Sequence, residues 1–240
     1  MTREEVAKAA GIDLAPLIER KDRGECVAAM AKASAVLLEK LVSEKKIDGV
    51  IALGGGGGTA IASAAMRALP VGFPKVLVST MAAGNVAPYL GTKDIVMIPS
   101  ISDVAGLNRL SRVIFANAAG AISGMVETKV DAAESKPLIV ASMFGNTTAC
   151  VTEAKRILEE AGYEVLVFAA TGSGGWAMES LIESGLVAGV LDLTTTEWAD
   201  ELAGGVLNAG PERMDAVAKA KIPVVVAPGC LDMVNFGEPA

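Results

Sequence analysis

The chain contains no histidine. That removes the commonest general base and the commonest metal ligand. Its three cysteines, Cys26, Cys150 and Cys230, form no CxxC pair and are odd in number. They argue against a zinc site and for reduced thiols in a cytoplasmic protein. There is no basic tract, and the net charge is -7, a poor basis for wrapping nucleic acid. No run is apolar enough for a membrane span: the uncharged stretch Val50–Met66 holds five glycines and ends at Arg67. The start shows no charged n-region followed by an apolar h-region, so no signal peptide is expected. Aromatic residues make up only 4%.

What is present is aliphatic and glycine-rich. The 240 residues are 52% hydrophobic, enough for two small α/β domains or one large one. The chain is organised around Asp48–Leu69, DGVIALGGGGGTAIASAAMRAL. It reads as an apolar strand over Gly49–Leu53, five glycines (Gly54–Gly58), and a helix opened by Thr59. Adjacent glycines are free to take positive φ and to approach a ligand closely. A run of N–H groups before a helix N-terminus attracts phosphate. Two sharper motifs do not fit. A Walker A loop needs Lys-Ser/Thr, and here Thr59-Ala60 follow the glycines. A dinucleotide fingerprint wants an acid about 20 positions on, where the next strand ends in Ser79-Thr80. The rival reading is a tight turn that binds nothing.

Taken in order, Thr2 and Glu5 match a capping box before a short helix, and Gly24–Lys46 has helical apolar spacing. Its Lys and Glu residues read as a solvated face. Strands are expected at Lys75–Ser79 and Asp94–Ser100, and a helix from about Ala105 to Gly124. After a charged connector, Glu127–Lys136, a second series follows. It comprises strand Pro137–Ser142, helix Thr148–Ala161, strand Glu164–Phe168, glycine loop Thr171–Gly175 and helix Trp176–Ser184. Then come strand Ala188–Leu193, helices Trp198–Ala203 and Pro211–Ala220, and strand Ile222–Ala227. Apolar strands alternating with helices predict two doubly wound, Rossmann-like α/β units with mainly parallel sheets. The division is placed between residues 1–130 and 131–240. Val50–Met66 and Val167–Glu183 align without gaps, as two copies of one unit or as two ordinary strand–turn–helix junctions.

Ligands in open α/β sheets bind beyond the carboxyl ends of the strands. Those ends carry mainly hydroxyls, amides and backbone N–H groups: Gly54–Thr59, Thr80, Gly84, Ser100–Asp103, Gly145–Thr148, Thr171–Gly175, Thr194–Glu197 and Gly229–Asn235. Such a lining suits sugar hydroxyls and phosphates better than proton transfer. Asp103 reads either as a ligand group or as a helix cap. Arg109 and Arg112 can grip a phosphate or form surface ion pairs. Asn108 and Asn117 inside a helical pattern can pin two helices or two subunits. Thr194–Glu197, T-T-T-E, is foremost a capping box. Asp232 near Asn235 reads as a turn before it reads as a Mg²⁺ site.

Several segments resemble a known family: GGGGGT (54–59), the block from Lys75 to Val126, MFGNTT (143–148), ATGSGG (170–175), GVLDLTTTE (189–197), AGPERM (209–214) and PGCLDMVNFG (228–237). The family is the ATP-binding one named for the tomato mosaic virus resistance protein of plants, with bacterial and fungal members of unassigned function. The resemblance implies two Rossmann-like domains, ATP near the glycine loops, and a dimer. Set beside the family, the chain is expected to be a core piece, without the family's N- and C-terminal segments. Where the family tends to carry His and Arg around the second glycine loop, this chain has Ala169 and Trp176.

The expected function is nucleotide binding, with ATP as ligand and Mg²⁺ as its companion ion. The expected ligand residues are Gly54, Gly55, Gly56, Gly57, Gly58, Thr59, Thr80, Gly84, Asp103, Asn108, Arg109, Thr171, Gly172, Ser173, Gly174 and Gly175. No catalytic residue and no protein metal site is assigned. The alternatives are an enzyme acting on a small phosphorylated or carboxylated metabolite, and a partner-binding module whose ligand site has decayed. Expected partners are a small phosphorylated ligand and a second copy in a homo-oligomer, with neither nucleic acid nor membrane.

Overall fold

The computed structural model describes residues 1–130 and 136–237, and the chain divides into two compact α/β units, residues 1–130 and 131–240. Part of the charged connector expected over Glu127–Lys136, residues 131–135, lies outside the described residues. Every strand pair is parallel. Parallel strands covered by helices are near-continuous apolar runs, which is why the strands were legible within two residues.

The first unit runs α1 (Arg3–Ala9), α2 (Ala15–Arg20), α3 (Arg23–Ser43), β1 (Val50–Gly54), α4 (Gly56–Ala68), β2 (Lys75–Ser79), α5 (Ala87–Leu90), β3 (Val96–Pro99) and α6 (Arg109–Glu127). α1 opens on the expected capping box: Glu5 N–H donates to Thr2 Oγ1 at 3.2 Å, and Thr2 N–H donates to Glu5 Oε2 at 2.6 Å. The sheet order is β1-β2-β3. Met66 of α4 packs with Leu77 and Ile95 on one face, and Ala118 of α6 packs with Val76 and Val78 on the other. α3 lies along α4 and α1, with few contacts to the sheet.

Lys75 is buried at the amino end of β2. Its Nζ donates to Asp94 Oδ1 (2.8 Å), Pro70 O (2.8 Å) and Phe73 O (2.7 Å). It therefore points away from the strand ends where ligands bind. Burial raises the Asp94 pKa, but the Lys75 ammonium and the Gly72 N–H outweigh it, and the net shift is downward. A carboxylate depressed on folding stabilises above its unfolded pKa, and that contribution is lost as pH falls through the folded value. Asp94→Asn should therefore flatten the acid limb of the first unit's urea midpoint, followed by circular dichroism. An acid limb identical to that of the parent would contradict this.

The second unit runs β4 (Leu138–Met143), α7 (Thr148–Glu160), β5 (Glu164–Ala169), α8 (Ser173–Glu183), β6 (Val187–Thr194), α9 (Thr196–Ala203), α10 (Asp215–Ala220) and β7 (Val224–Gly229). Its sheet order is β5-β4-β6-β7. Met178 and Ile182 of α8 and Val217 of α10 cover one face, and Val151 of α7 covers the other. α8 opens at Ser173, inside the glycine loop, and not at Trp176 as expected. The helix expected from Pro211 begins only at Asp215. Met214 has φ +79, a left-handed turn that ends the preceding segment. Among the described residues, no helix is long and apolar enough to cross a membrane.

Candidate functional site

The first glycine turn starts where β1 ends. Gly54 is buried, and a Cβ there would lie 3.0 Å from the Gly58 Cα. This close return of the chain requires glycine. Gly55 is the N-cap of α4 and has no side chain with which to cap it. The helix then opens at Gly56, three residues before the expected Thr59, because Gly56, Gly57 and Gly58 form its first turn. None of the five glycines has positive φ. Left-handed freedom is thus not why they are glycines here; close approach and an unobstructed surface are. A Cβ on Gly56 would meet nothing within 4 Å.

Those three glycines leave a bare helix end. The first turn's ladder bond is Thr59 N–H to Gly55 O at 2.8 Å. The N–H groups of Gly56, Gly57 and Gly58 donate to no described residue, as the geometry of a helix start dictates. Three polar side chains approach the turn at Gly55 and Gly57. Thr80 Oγ1 and Asp103 Oδ1 each lie 3.7 Å from the position a Cβ would take on Gly55. Arg23 Nη2 lies 3.4 Å from that position on Gly57. Thr80 follows β2 and Asp103 follows β3, so the carboxyl ends of all three strands contribute. Arg23 forms no ion pair with any described residue. In the loop carrying Asp103, Ile101 has φ +63 and is 75% exposed. A β-branched residue in that region is strained, and such strain concentrates at functional sites.

Arg23 was not anticipated. In sequence it is one more charge at the start of a solvated helix. Only the packing of α3 along α4 carries it to Gly57. Other expected ligand residues have different tasks. Thr59 is buried, its hydroxyl 2.6 Å from Ser79 Oγ and donating to Gly54 O at 3.4 Å. Asn108 is not inside a helix: it is the N-cap of α6, its Oδ1 accepting the Leu110 and Ser111 N–H groups at 2.9 Å. Asp103 consequently does not cap that helix; its Oδ1 accepts the Val104 N–H at 2.8 Å. Gly84 closes the short 3-10 turn Thr80–Ala83. Arg109 and Arg112 are exposed on α6 and pair with no described carboxylate. None of Gly84, Asn108 and Arg109 hydrogen-bonds to the glycine turn.

The second turn, Thr171–Gly175, already holds an anion, and it belongs to the chain. Glu197 Oε1 accepts the Gly172 N–H at 2.7 Å and the Gly175 N–H at 3.1 Å. Glycine is required here for packing. Gly172 has φ +78, and a Cβ on it would lie 2.5 Å from Asn208 O. A Cβ on Gly174 would overlap the Ala169 carbonyl, and one on Gly175 the Glu197 carboxylate. Ser173 is exposed, and the Thr171 hydroxyl turns back to Ala169 O. Thr194–Glu197 is therefore not a capping box. α9 opens at Thr196 with no side-chain cap, and Glu197 reaches inward.

Glu197 also accepts from Arg213 Nε at 2.7 Å. Arg213 is buried and grips Asp192 with two bonds, 2.7 and 2.8 Å, and Glu179 with one at 3.0 Å. Asp192 in turn accepts from Ser142 Oγ at 2.7 Å. Burial drives the Glu197 pKa up, and the Arg213 charge and the two glycine amides only partly reverse it. Burial opposes the Arg213 charge, yet Asp192 and Glu197 more than offset it and its pKa is raised. The Asn235 backbone N–H donates to the buried Asp200 Oδ1 at 2.7 Å. Among the described residues, no cluster of three His, Cys, Asp or Glu side chains could hold a metal ion.

Among the described residues, two amides of the second glycine turn donate to a carboxylate of the chain and those of Gly56, Gly57 and Gly58 do not. Comparison with known proteins places the chain in a family. Residues 1–131 match the N-terminal domain of the uncharacterised protein family UPF0261, and residues 136–240 match its C-terminal domain. The chain belongs to the UPF0261 family. It is 57% identical over 236 residues to a UPF0261 protein of Clostridium tetani, covering 98% of this chain and 58% of that protein. It is 50% identical over 225 residues to a UPF0261 protein of Rhizobium meliloti, covering 94% and 56%. The chain thus spans little more than half the length of these bacterial relatives. The ToMV resistance protein Tm-1(GCR237) of Solanum lycopersicum is 46% identical over 221 residues, 90% of this chain and 29% of that protein. The ToMV susceptible protein tm-1(GCR26) of the same plant matches equally well, 46% over 221 residues. Similarity to this UPF0261 chain therefore does not separate resistance from susceptibility.

Proposed function

We propose that this UPF0261 chain binds a nucleotide, ATP, through its phosphates at the first glycine turn. The N–H groups of Gly56, Gly57 and Gly58 would receive the phosphate oxygens, favoured by the helix dipole. Arg23 would supply the neutralising cation that the turn itself lacks. The Thr80 hydroxyl and the Asp103 carboxylate would hold Mg²⁺ together with phosphate oxygens, since that ion is usually bound by one or two carboxylates plus phosphate. One observation supports the reading: Glu197 accepts two amides of the second glycine turn, whereas the Gly56, Gly57 and Gly58 amides donate to no described residue.

Calorimetry with ATP, ADP and inorganic phosphate, with and without Mg²⁺, tests it. Hydrogen bonds to charged groups contribute about 1.5–3 kcal/mol. Arg23→Gln should therefore weaken ATP binding roughly 10- to 150-fold while leaving the thermal transition in place. Equal affinity in parent and variant would remove Arg23 from the site. Absence of binding by all three anions would overturn the proposal.

A further inference from the structure

The loop that carries Asp103 has its polarity reversed at two neighbouring positions. Ile101 is exposed and left-handed, although an apolar β-branched side chain favours neither water nor that backbone region. Ser102 is turned the other way: its Oγ is buried and has no hydrogen-bond partner among the described residues. A buried polar group is the more informative of the two, and without a partner it is costly and rare in native proteins. The Ser102 backbone is satisfied, its N–H donating to Ser100 O at 2.7 Å and its C=O accepting from Ser100 Oγ at 2.7 Å. The orphan is therefore the side chain alone. The loop is anchored at both ends and loose between them. Ser100 is buried and its N–H donates to Ser79 O at 3.1 Å, and Asn108 caps α6. From Ile101 to Ala105, every hydrogen bond among the described residues stays within Ser100–Val104. Gly106 follows with φ +91 and nothing within 4 Å of its Cβ position, which leaves room for a hinge.

We infer that Ser102 is a further phosphate ligand of the first glycine turn, brought there by an exchange of places between Ile101 and Ser102. The inference rests on the reading of that turn as the phosphate site. In the empty protein each side chain lies on the side that suits the other. Turning the two peptides returns Ile101 to negative φ and gives its side chain an apolar contact. The same movement gives the Ser102 O–H an anionic oxygen to donate to. The loop already stands beside the turn, since Asp103 Oδ1 lies 3.7 Å from the Cβ position of Gly55. Strain held in the empty state and released in the occupied one is differential affinity, and only differential affinity can shift such a loop. Adenosine, which has no phosphate, supplies no anionic acceptor and leaves the loop in its empty form.

The test joins calorimetry, thermal melting and methyl NMR on the same chain. Ser102→Ala removes an unpaired hydroxyl, so its midpoint without ligand should equal or exceed that of the parent. Its Mg²⁺–ATP affinity should fall at least about tenfold, because a hydrogen bond to a charged group is lost. Ile101→Asn suits the left-handed region and does not suit burial. It should weaken binding at least about fivefold, the lower end of the strain released, with no loss of midpoint. In the parent, a soluble paramagnetic agent should broaden the Ile101 δ1-methyl signal in the free protein and with adenosine, and much less with Mg²⁺–ATP. Parent binding with equal affinity in Ser102→Ala, or with the Ile101 methyl still exposed, would overturn this inference alone. A lower midpoint for Ser102→Ala would do the same, since the hydroxyl would then have a partner in the free protein. No binding by the parent would overturn the phosphate reading and this inference with it.

Discussion

Arg213→Met is expected to destabilise the second unit by about 3–5 kcal/mol at neutral pH. The guanidinium is buried and is bonded to Asp192, Glu197 and Glu179. Removing one partner of a buried ion pair leaves uncompensated charge and costs about 3–5 kcal/mol. Whole domains are stable by only about 5–15 kcal/mol. The pH dependence has a defined sign. The Glu197 pKa is raised even in the presence of Arg213, and without it the value moves further up. A carboxylate raised on folding gives stability below its unfolded pKa that is lost as pH rises through the folded one. The variant's deficit should therefore be smallest in acid and grow toward neutrality. Trp176 and Trp198 both lie in the second unit, so fluorescence-detected urea unfolding reads that unit alone. A midpoint equal to that of the parent at pH 7 would contradict the network's role.

Gly56→Val should have the opposite profile, with little effect on stability and a large one on binding. A Cβ on Gly56 meets nothing within 4 Å, and valine is no worse a helix former than glycine. Stability should stay within about 0.5 kcal/mol, as is usual for substitutions away from packed features. Two branched methyl groups over the bare helix end, however, would block phosphate from more than one N–H donor. At about 1.5–3 kcal/mol for each charge-assisted bond, ATP affinity should fall at least about 100-fold. Circular dichroism and calorimetry on the same sample separate the two effects. Unchanged affinity would remove this turn from the site.

Sequence pattern and structure agree where the signal is local and disagree where tertiary contacts decide. The runs at Lys75–Ser79 and Val187–Thr194 were legible because buried parallel strands have no polar face to hide. The T-T-T-E of Thr194–Glu197 misled because a capping box and an inward-reaching Glu share one local spelling. What distinguishes them is Arg213, 16 residues away. Asp103 was the expected cap for α6 and Asn108 was expected inside the helix, yet the geometry makes Asn108 the cap. The glycines themselves were ambiguous. Both turns look alike in sequence, yet the first has an unobstructed Gly56 and the second has glycines pressed against Ala169, Glu197 and Asn208. Arg23 had no sequence signal at all, since its place beside Gly57 depends on how two helices pack.

The most direct measurement is a titration of uniformly ¹⁵N-labelled protein with Mg²⁺–ATP, followed at the glycine amides. The account predicts saturable shifts at Gly56, Gly57 and Gly58, with matching movement at Arg23 Nε. It also predicts no change at Gly172 and Gly175, whose N–H groups already donate to Glu197. Shifts at Gly172 and Gly175 with Gly56–Gly58 unmoved would contradict the account and transfer the anion site to the second turn.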